Sequence, residues 1–109
     1  LLINWRGFMW ICLNDSFLSI VSDKNSPDHL LVRARRKGDI ERIFPNVEIK
    51  ENIGTDYKYR SSIDRRSVSS AIADRVLNID YDNFKNSVSD PDRHDAYLDV
   101  WTTMFRFQR

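Results

Sequence analysis

Four sets of residues in this chain have the types and spacing to do chemistry. The first is basic. Arg33, Arg35, Arg36 and Lys37 follow one another closely, and Lys58, Arg60, Arg65 and Arg66 come later. Guanidinium groups suit phosphates because they offer paired, charge-assisted donors. If the two basic stretches are neighbouring strands, Arg33, Arg35, Arg36 and Arg60 form a nucleic-acid-binding face. By alternation Tyr57 and Tyr59 point away from Lys58 and Arg60. The tyrosines are therefore not expected to interleave with the arginines, as aromatics do on the open face of sheet-based RNA readers.

The second set is acidic: Asp90, Asp92, His94, Asp95 and Asp99. On a helix Asp95 and Asp99 lie one turn apart, with Asp92 beside them. Carboxylates with a histidine are ligands for a hard divalent cation, so Asp92, His94, Asp95 and Asp99 are metal candidates for a small metal-dependent hydrolase. Such a hydrolase needs further ligands, and His29 is the one other histidine. The plainer account is that Asp90 caps the helix and the acids meet its dipole, which requires no metal. No cofactor is expected on this reading.

The third set is nucleophilic. Ser61, Ser62, Ser67, Ser69 and Ser70 are close together, but no Gly-x-Ser-x-Gly elbow surrounds them. With only Gly7, Gly38 and Gly54 there is no glycine-rich phosphate loop. No catalytic residue is assigned, and an enzyme is not the expectation. Cys12, the single cysteine, cannot form an internal disulfide and lies in an apolar run that predicts a small buried side chain.

The fourth set is aromatic: Trp5, Phe8, Trp10, Trp101, Phe105 and Phe107. Phe107 falls off the core stripe of the last helix, and Trp5 and Phe8 precede the first strand. Left exposed, Trp5, Phe8, Trp10 and Phe107 make an interface patch, with a homodimer as the first expectation.

The elements that must position these residues follow from periodicity and turn chemistry. Met9 to Leu13 and Phe17 to Val21 are apolar runs read as strands. Ser22 to Asp28 is turn chemistry, and Leu30 to Arg36 alternates as a strand. Gly38 breaks that strand, and Asp39 caps a short helix from Ile40 to Phe44 that Pro45 stops. Val47 to Glu51 and Tyr57 to Ile63 are further strands. Asp64 caps a helix from Arg65 to about Ile79, with Val68, Ala71, Ile72, Val76 and Ile79 as its core stripe. Tyr81, Phe84 and Val88 anchor a polar stretch. Asp90 caps the last helix, with Pro91 at its first position and Tyr97, Val100, Trp101, Met104 and Phe105 as its core stripe. Consecutive strands favour antiparallel pairing. The fold class is therefore α+β: a single antiparallel sheet of four or five strands, helices packed on one face, and a long C-terminal helix.

The totals agree with one domain. The chain has 109 residues, 41% hydrophobic and 30% charged, which is a globular composition with enough length for its own core. Net charge is only +1, but it is unevenly spread. Leu30 to Arg66 holds ten Lys/Arg against six Asp/Glu, and Asp74 to Val100 three against seven. The apolar stretch at the N-terminus is interrupted by Asn4, Arg6 and Gly7 and falls short of the roughly 20 residues of a membrane span. No membrane contact and a cytoplasmic location are expected. Leu1 to Phe8 reads as an extension, with Met9 as the natural start of a domain over Met9 to Arg109.

The stretch Leu30 to Pro45 (LLVRARRKGDIERIFP), then Gly54-Thr55-Asp56-Tyr57, then His94-Asp95-Ala96-Tyr97 with Val100-Trp101, resembles a group of small uncharacterised bacterial proteins carried on mobile DNA, including integron gene cassettes. The resemblance covers Met9 to Arg109 and has no catalytic signature. It implies no role for any single residue. A non-enzymatic binding module acting on an unidentified protein partner or on a second copy of itself is the functional expectation. Nucleic-acid binding and metal-dependent hydrolysis are the alternatives.

Overall fold

A computed structural model describes residues 8–52 and 54–109. Five strands come first: β1 (Phe8–Cys12), β2 (Phe17–Ser22), β3 (His29–Ala34), β4 (Lys50–Glu51) and β5 (Tyr59–Asp64). Three helices follow: α1 (Arg65–Leu77), α2 (Phe84–Ser87) and α3 (Pro91–Phe107). The strands form one antiparallel sheet in the order β1-β2-β3-β5-β4, so the α+β expectation holds. β1 begins at Phe8, inside the segment assigned to the extension.

Strand alternation sorts the sheet into two faces. On the inner face Leu18 and Ile20 of β2, Val32 and Ala34 of β3, and Ile63 of β5 are buried together. Val68 of α1 caps this layer, with Ala71 packed beside it. β5 runs into α1 without a loop. Asp64 is the hinge: it ends the strand, and its carboxylate accepts from the Ser67 amide at 3.1 Å as the helix N-cap.

The rest of the inner cover comes from the long connection after β3. A short helix was expected there over Ile40 to Phe44, but the segment is a chain of turns. Gly38 takes φ +96°, a left-handed value that glycine alone adopts readily, and reverses the chain. Two overlapping turns are closed, one by the Arg42 amide on the Gly38 carbonyl (3.1 Å) and one by the Phe44 amide on the Ile40 carbonyl (2.8 Å). They drop Ile40 and Phe44 into the core. Asp39 therefore caps nothing; it is buried.

The expected strand from Val47 to Glu51 shortens to Lys50–Glu51. Upstream of it the Ser61 hydroxyl donates to the Glu48 carbonyl at 2.7 Å, so a side chain takes the place of a ladder bond. α2 was not anticipated. The Asn83 side chain caps it by accepting from the Asn86 amide.

α3 starts as its residues dictate. Asp90 accepts from the Arg93 amide at 3.1 Å, and Pro91 occupies the first turn. Its core stripe is shorter than its periodicity predicts. Of Tyr97, Val100, Trp101, Met104 and Phe105, only Tyr97 is buried. The helix meets the end of the sheet through its first two turns, and its second half stands clear. Among the described residues no helix is long and apolar enough to cross a membrane.

Candidate functional site

The outer face of the sheet gathers the basic residues. Cross-strand register puts Trp10 opposite Ser19, Ser19 opposite Arg33, Arg33 opposite Arg60, and Arg60 opposite Lys50. The Arg33 guanidinium donates to Ser19 Oγ at 2.7 Å. Tyr57 lies in the same group, contrary to the alternation argument. It precedes β5 and is not bound by the strand's pleat. Its ring lies 4.4 Å from the Arg33 guanidinium and 4.2 Å from that of Arg35. Its hydroxyl accepts from Trp10 Nε1 at 3.1 Å. Tyr59, inside the strand, obeys the pleat and packs toward the core.

Arg35 also donates to the Asp56 carbonyl at 2.9 Å, and Arg60 Nε donates to the Tyr57 carbonyl at 3.3 Å. Burial works against the charge on Arg33 and lowers its pKa. Arg60 and Arg35 add to that, while Tyr57 and Asp56 oppose it. Arg36 does not join this face. It turns to the N-terminus of α3, 2.7 Å from Asp90, whose carboxyl is held low chiefly by that bond.

A second cluster was not legible in the sequence. Asp39 is 1% exposed and Arg93 7% exposed, and they pair through two bonds of 2.6 and 3.1 Å. Arg42 and the Phe17 amide also donate to Asp39, at 2.8 and 3.0 Å. Arg93 Nη1 approaches the Tyr97 hydroxyl at 3.4 Å, and that hydroxyl reaches the carbonyls of Leu13 and Ser16 at 2.9 and 3.0 Å. Burial opposes the charge on Arg93, but the hydrogen bonds it donates to Asp39 and Tyr97 outweigh that and raise its pKa. Burial pushes Tyr97 up to about 12, against the pull of Arg93. This cluster locks α3 to the turn after β3 and to the β1–β2 hairpin.

The acidic candidates do not converge. His94 Nδ1 is 3.8 Å from its neighbour Asp95, whose side chain is open to solvent. Asp92 and Asp99 are exposed as well. Among the described residues no group of three or more His, Cys, Asp or Glu side chains could hold a metal ion. Cys12 is exposed rather than buried, because its strand is at the sheet edge and its side chain is on the outer face. Burial by its neighbours still raises its pKa, against the opposing charge of Arg93, so the thiol is not activated.

One serine has polar company that sequence inspection missed. Ser62 Oγ donates to Asp23 at 2.5 Å and lies 3.0 Å from His29 Nδ1. The hydroxyl proton is already committed to the carboxylate, and the group is exposed. That order does not make histidine the base of a nucleophilic relay.

The aromatic candidates divide. Trp5 and the side chain of Phe8 lie outside the described residues. Trp10 is 59% exposed on the outer face, with Phe17 edge-on at 5.9 Å. Phe107 is 71% exposed, and it extends an apolar surface formed by Leu98, Val100, Trp101, Met104 and Phe105. Trp101 and Phe105 stack at 5.3 Å, and Lys85 of α2 lies 4.8 Å over the Trp101 ring. No family model matches this chain, and no curated protein or solved structure matches it either.

Proposed function

We propose that this chain is a non-enzymatic binding module that works through protein contacts, and that its first partner is a second copy of itself on α3. The observation that carries the reading is the exposed apolar surface of Leu98, Val100, Trp101, Met104, Phe105 and Phe107. At 100° per residue these six side chains cover about half the circumference of the helix, with Asp95, Asp99 and Arg106 on the other half. A surface helix normally hides such an arc, and a contiguous exposed patch of this kind marks an interface.

The dipole of α3 favours a second copy. Two copies packed antiparallel along the apolar arc oppose their helix dipoles, and Asp95, Asp99 and Arg106, on the far half of each helix, stay in solvent. The contact is isologous, as a twofold dimer requires. A cytoplasmic setting suits an exposed cysteine without a disulfide.

Light scattering on a size-exclusion column tests the reading. The wild-type chain is expected at twice its monomer mass, and Phe105→Asp at the monomer mass with its melting temperature measured alongside. A monomeric wild type across the accessible concentration range overturns the proposal.

A further inference from the structure

Strand register sets Trp10, Ser19, Arg33, Arg60 and Lys50 in one row across the outer face of the sheet. At about 4.8 Å between neighbouring strands, the row runs roughly 19 Å. Its last three members are all cations. Like charges directly opposite one another across a strand pair destabilise a sheet, and here the arrangement occurs twice in succession. The protein does little to neutralise it. Asp56 approaches Arg60 at 3.9 Å from an exposed position, and Asp23, whose field reaches Lys50, is already bonded by Ser62. Lys58, next to the row, is taken up by Glu51 at 3.2 Å. Arg33 Nε is shielded from solvent and has no hydrogen-bond partner among the described residues.

At the other end of the row stands an aromatic ring that is exposed yet held in place. Trp10 is fixed by its bond to Tyr57 and by the edge of Phe17, so little side-chain freedom remains to be lost on binding. Tyr57 in turn holds Arg33 and Arg35 over its ring. Cations and an exposed aromatic ring on one sheet face are the two components that bind single strands. The cations track phosphates, and the ring takes a base.

We infer that the outer face of the sheet binds single-stranded nucleic acid, with phosphates along Arg35, Arg60 and Lys50 and a base stacked on Trp10. A row this short spans a few nucleotides. Among the described residues of the row Trp10 supplies the exposed ring, a platform for an unpaired base, and this favours a single strand over a duplex. The site is independent of the apolar half of α3, so the monomeric Phe105→Asp variant keeps it.

Fluorescence anisotropy with a labelled short oligothymidylate, repeated over a series of salt concentrations, tests the assignment. Binding should weaken as salt rises. Replacing Arg60 and Lys50 together by Gln should reduce the log–log salt slope by about 0.7 for each phosphate that is no longer neutralised. Trp10→Ala should weaken binding roughly tenfold with the slope unchanged, and Trp10→Phe should restore most of it. Arg66→Gln, on the helix that covers the opposite face, should change nothing. Absence of salt-dependent binding overturns the inference, as does binding that survives the Arg60 and Lys50 replacements. Equal binding of inorganic polyphosphate with no effect of Trp10→Ala also overturns it, leaving a polyanion surface only. Equal affinity for duplex overturns the single-strand assignment.

Discussion

Asp39 and Arg93 are 54 positions apart in the chain and form a buried ion pair. Such a pair survives burial only when its remaining hydrogen-bonding capacity is met. Here it is met: Asp39 takes four donated bonds from Arg93, Arg42 and the Phe17 amide. Arg93 also reaches Tyr97, which makes the phenol a reporter for the lock. Burial pushes Tyr97 from an ordinary value of 10.0 to about 12, so the folded state holds its proton where the unfolded state releases it. The stability this contributes is complete below pH 10 and is lost as pH rises from 10 to about 12. Chemical denaturation across that range should show a steeper loss for the wild type than for Tyr97→Phe. Parallel curves would mean that the phenol is not held in the way its neighbours imply. Nothing in local spacing could have revealed this cluster. Asp39 stands just before the apolar Ile40, as a helix cap often does, and Arg93 sits among exposed acids as an ordinary helical cation would.

At the scale of elements, α1 shows where periodicity succeeds and where it stops. Val68 and Val76 belong to one apolar stripe in the sequence, yet Val68 is 3% exposed and Val76 60%. The sheet beneath α1 supplies the difference: α1 meets β3 and β5, and Val68 and Ala71 are the α1 residues that pack on the core. Val68→Ala should therefore cost about 2 kcal/mol in urea denaturation, through reduced burial and the cavity left behind. Val76→Ala should stay within about 0.5 kcal/mol. Equal costs at the two positions would refute this placement of α1. Periodicity thus reports which residues could share a face. The neighbour that covers the face is a long-range fact, so the strands, the caps at Asp64 and Asp90 and the fold class were legible, but the depth of burial was not. The same limit explains the outer face. Alternation placed Arg33, Arg35 and Arg60 together correctly, but it failed for Tyr57, which precedes β5 and can turn back across the arginines.

At the scale of the whole molecule, the radius of gyration is 14.8 Å, against about 13 Å for a compact chain of this length. The excess fits a helix that stands off the body. α3 is about 25 Å long, and its lock to the sheet ends at Tyr97. The ten residues from Leu98 to Phe107 are too few to be a stable helix in water by themselves, since isolated helices below about 12–15 residues are marginal. Their stability must come from the locked first half and from whatever covers their apolar arc. If a second copy covers it, association and local order are linked by mass action. The melting temperature should then rise with protein concentration, by roughly 4–8 °C for each kcal/mol of association free energy. Amide exchange from Leu98 to Phe107 should slow over the same range while that of Leu18 and Val32 changes far less. In Phe105→Asp both concentration effects should vanish. If the wild type melts at one temperature at every concentration, and the end of α3 exchanges equally fast throughout, a second copy is not what covers the helix. The exposed arc would then belong to a different protein partner.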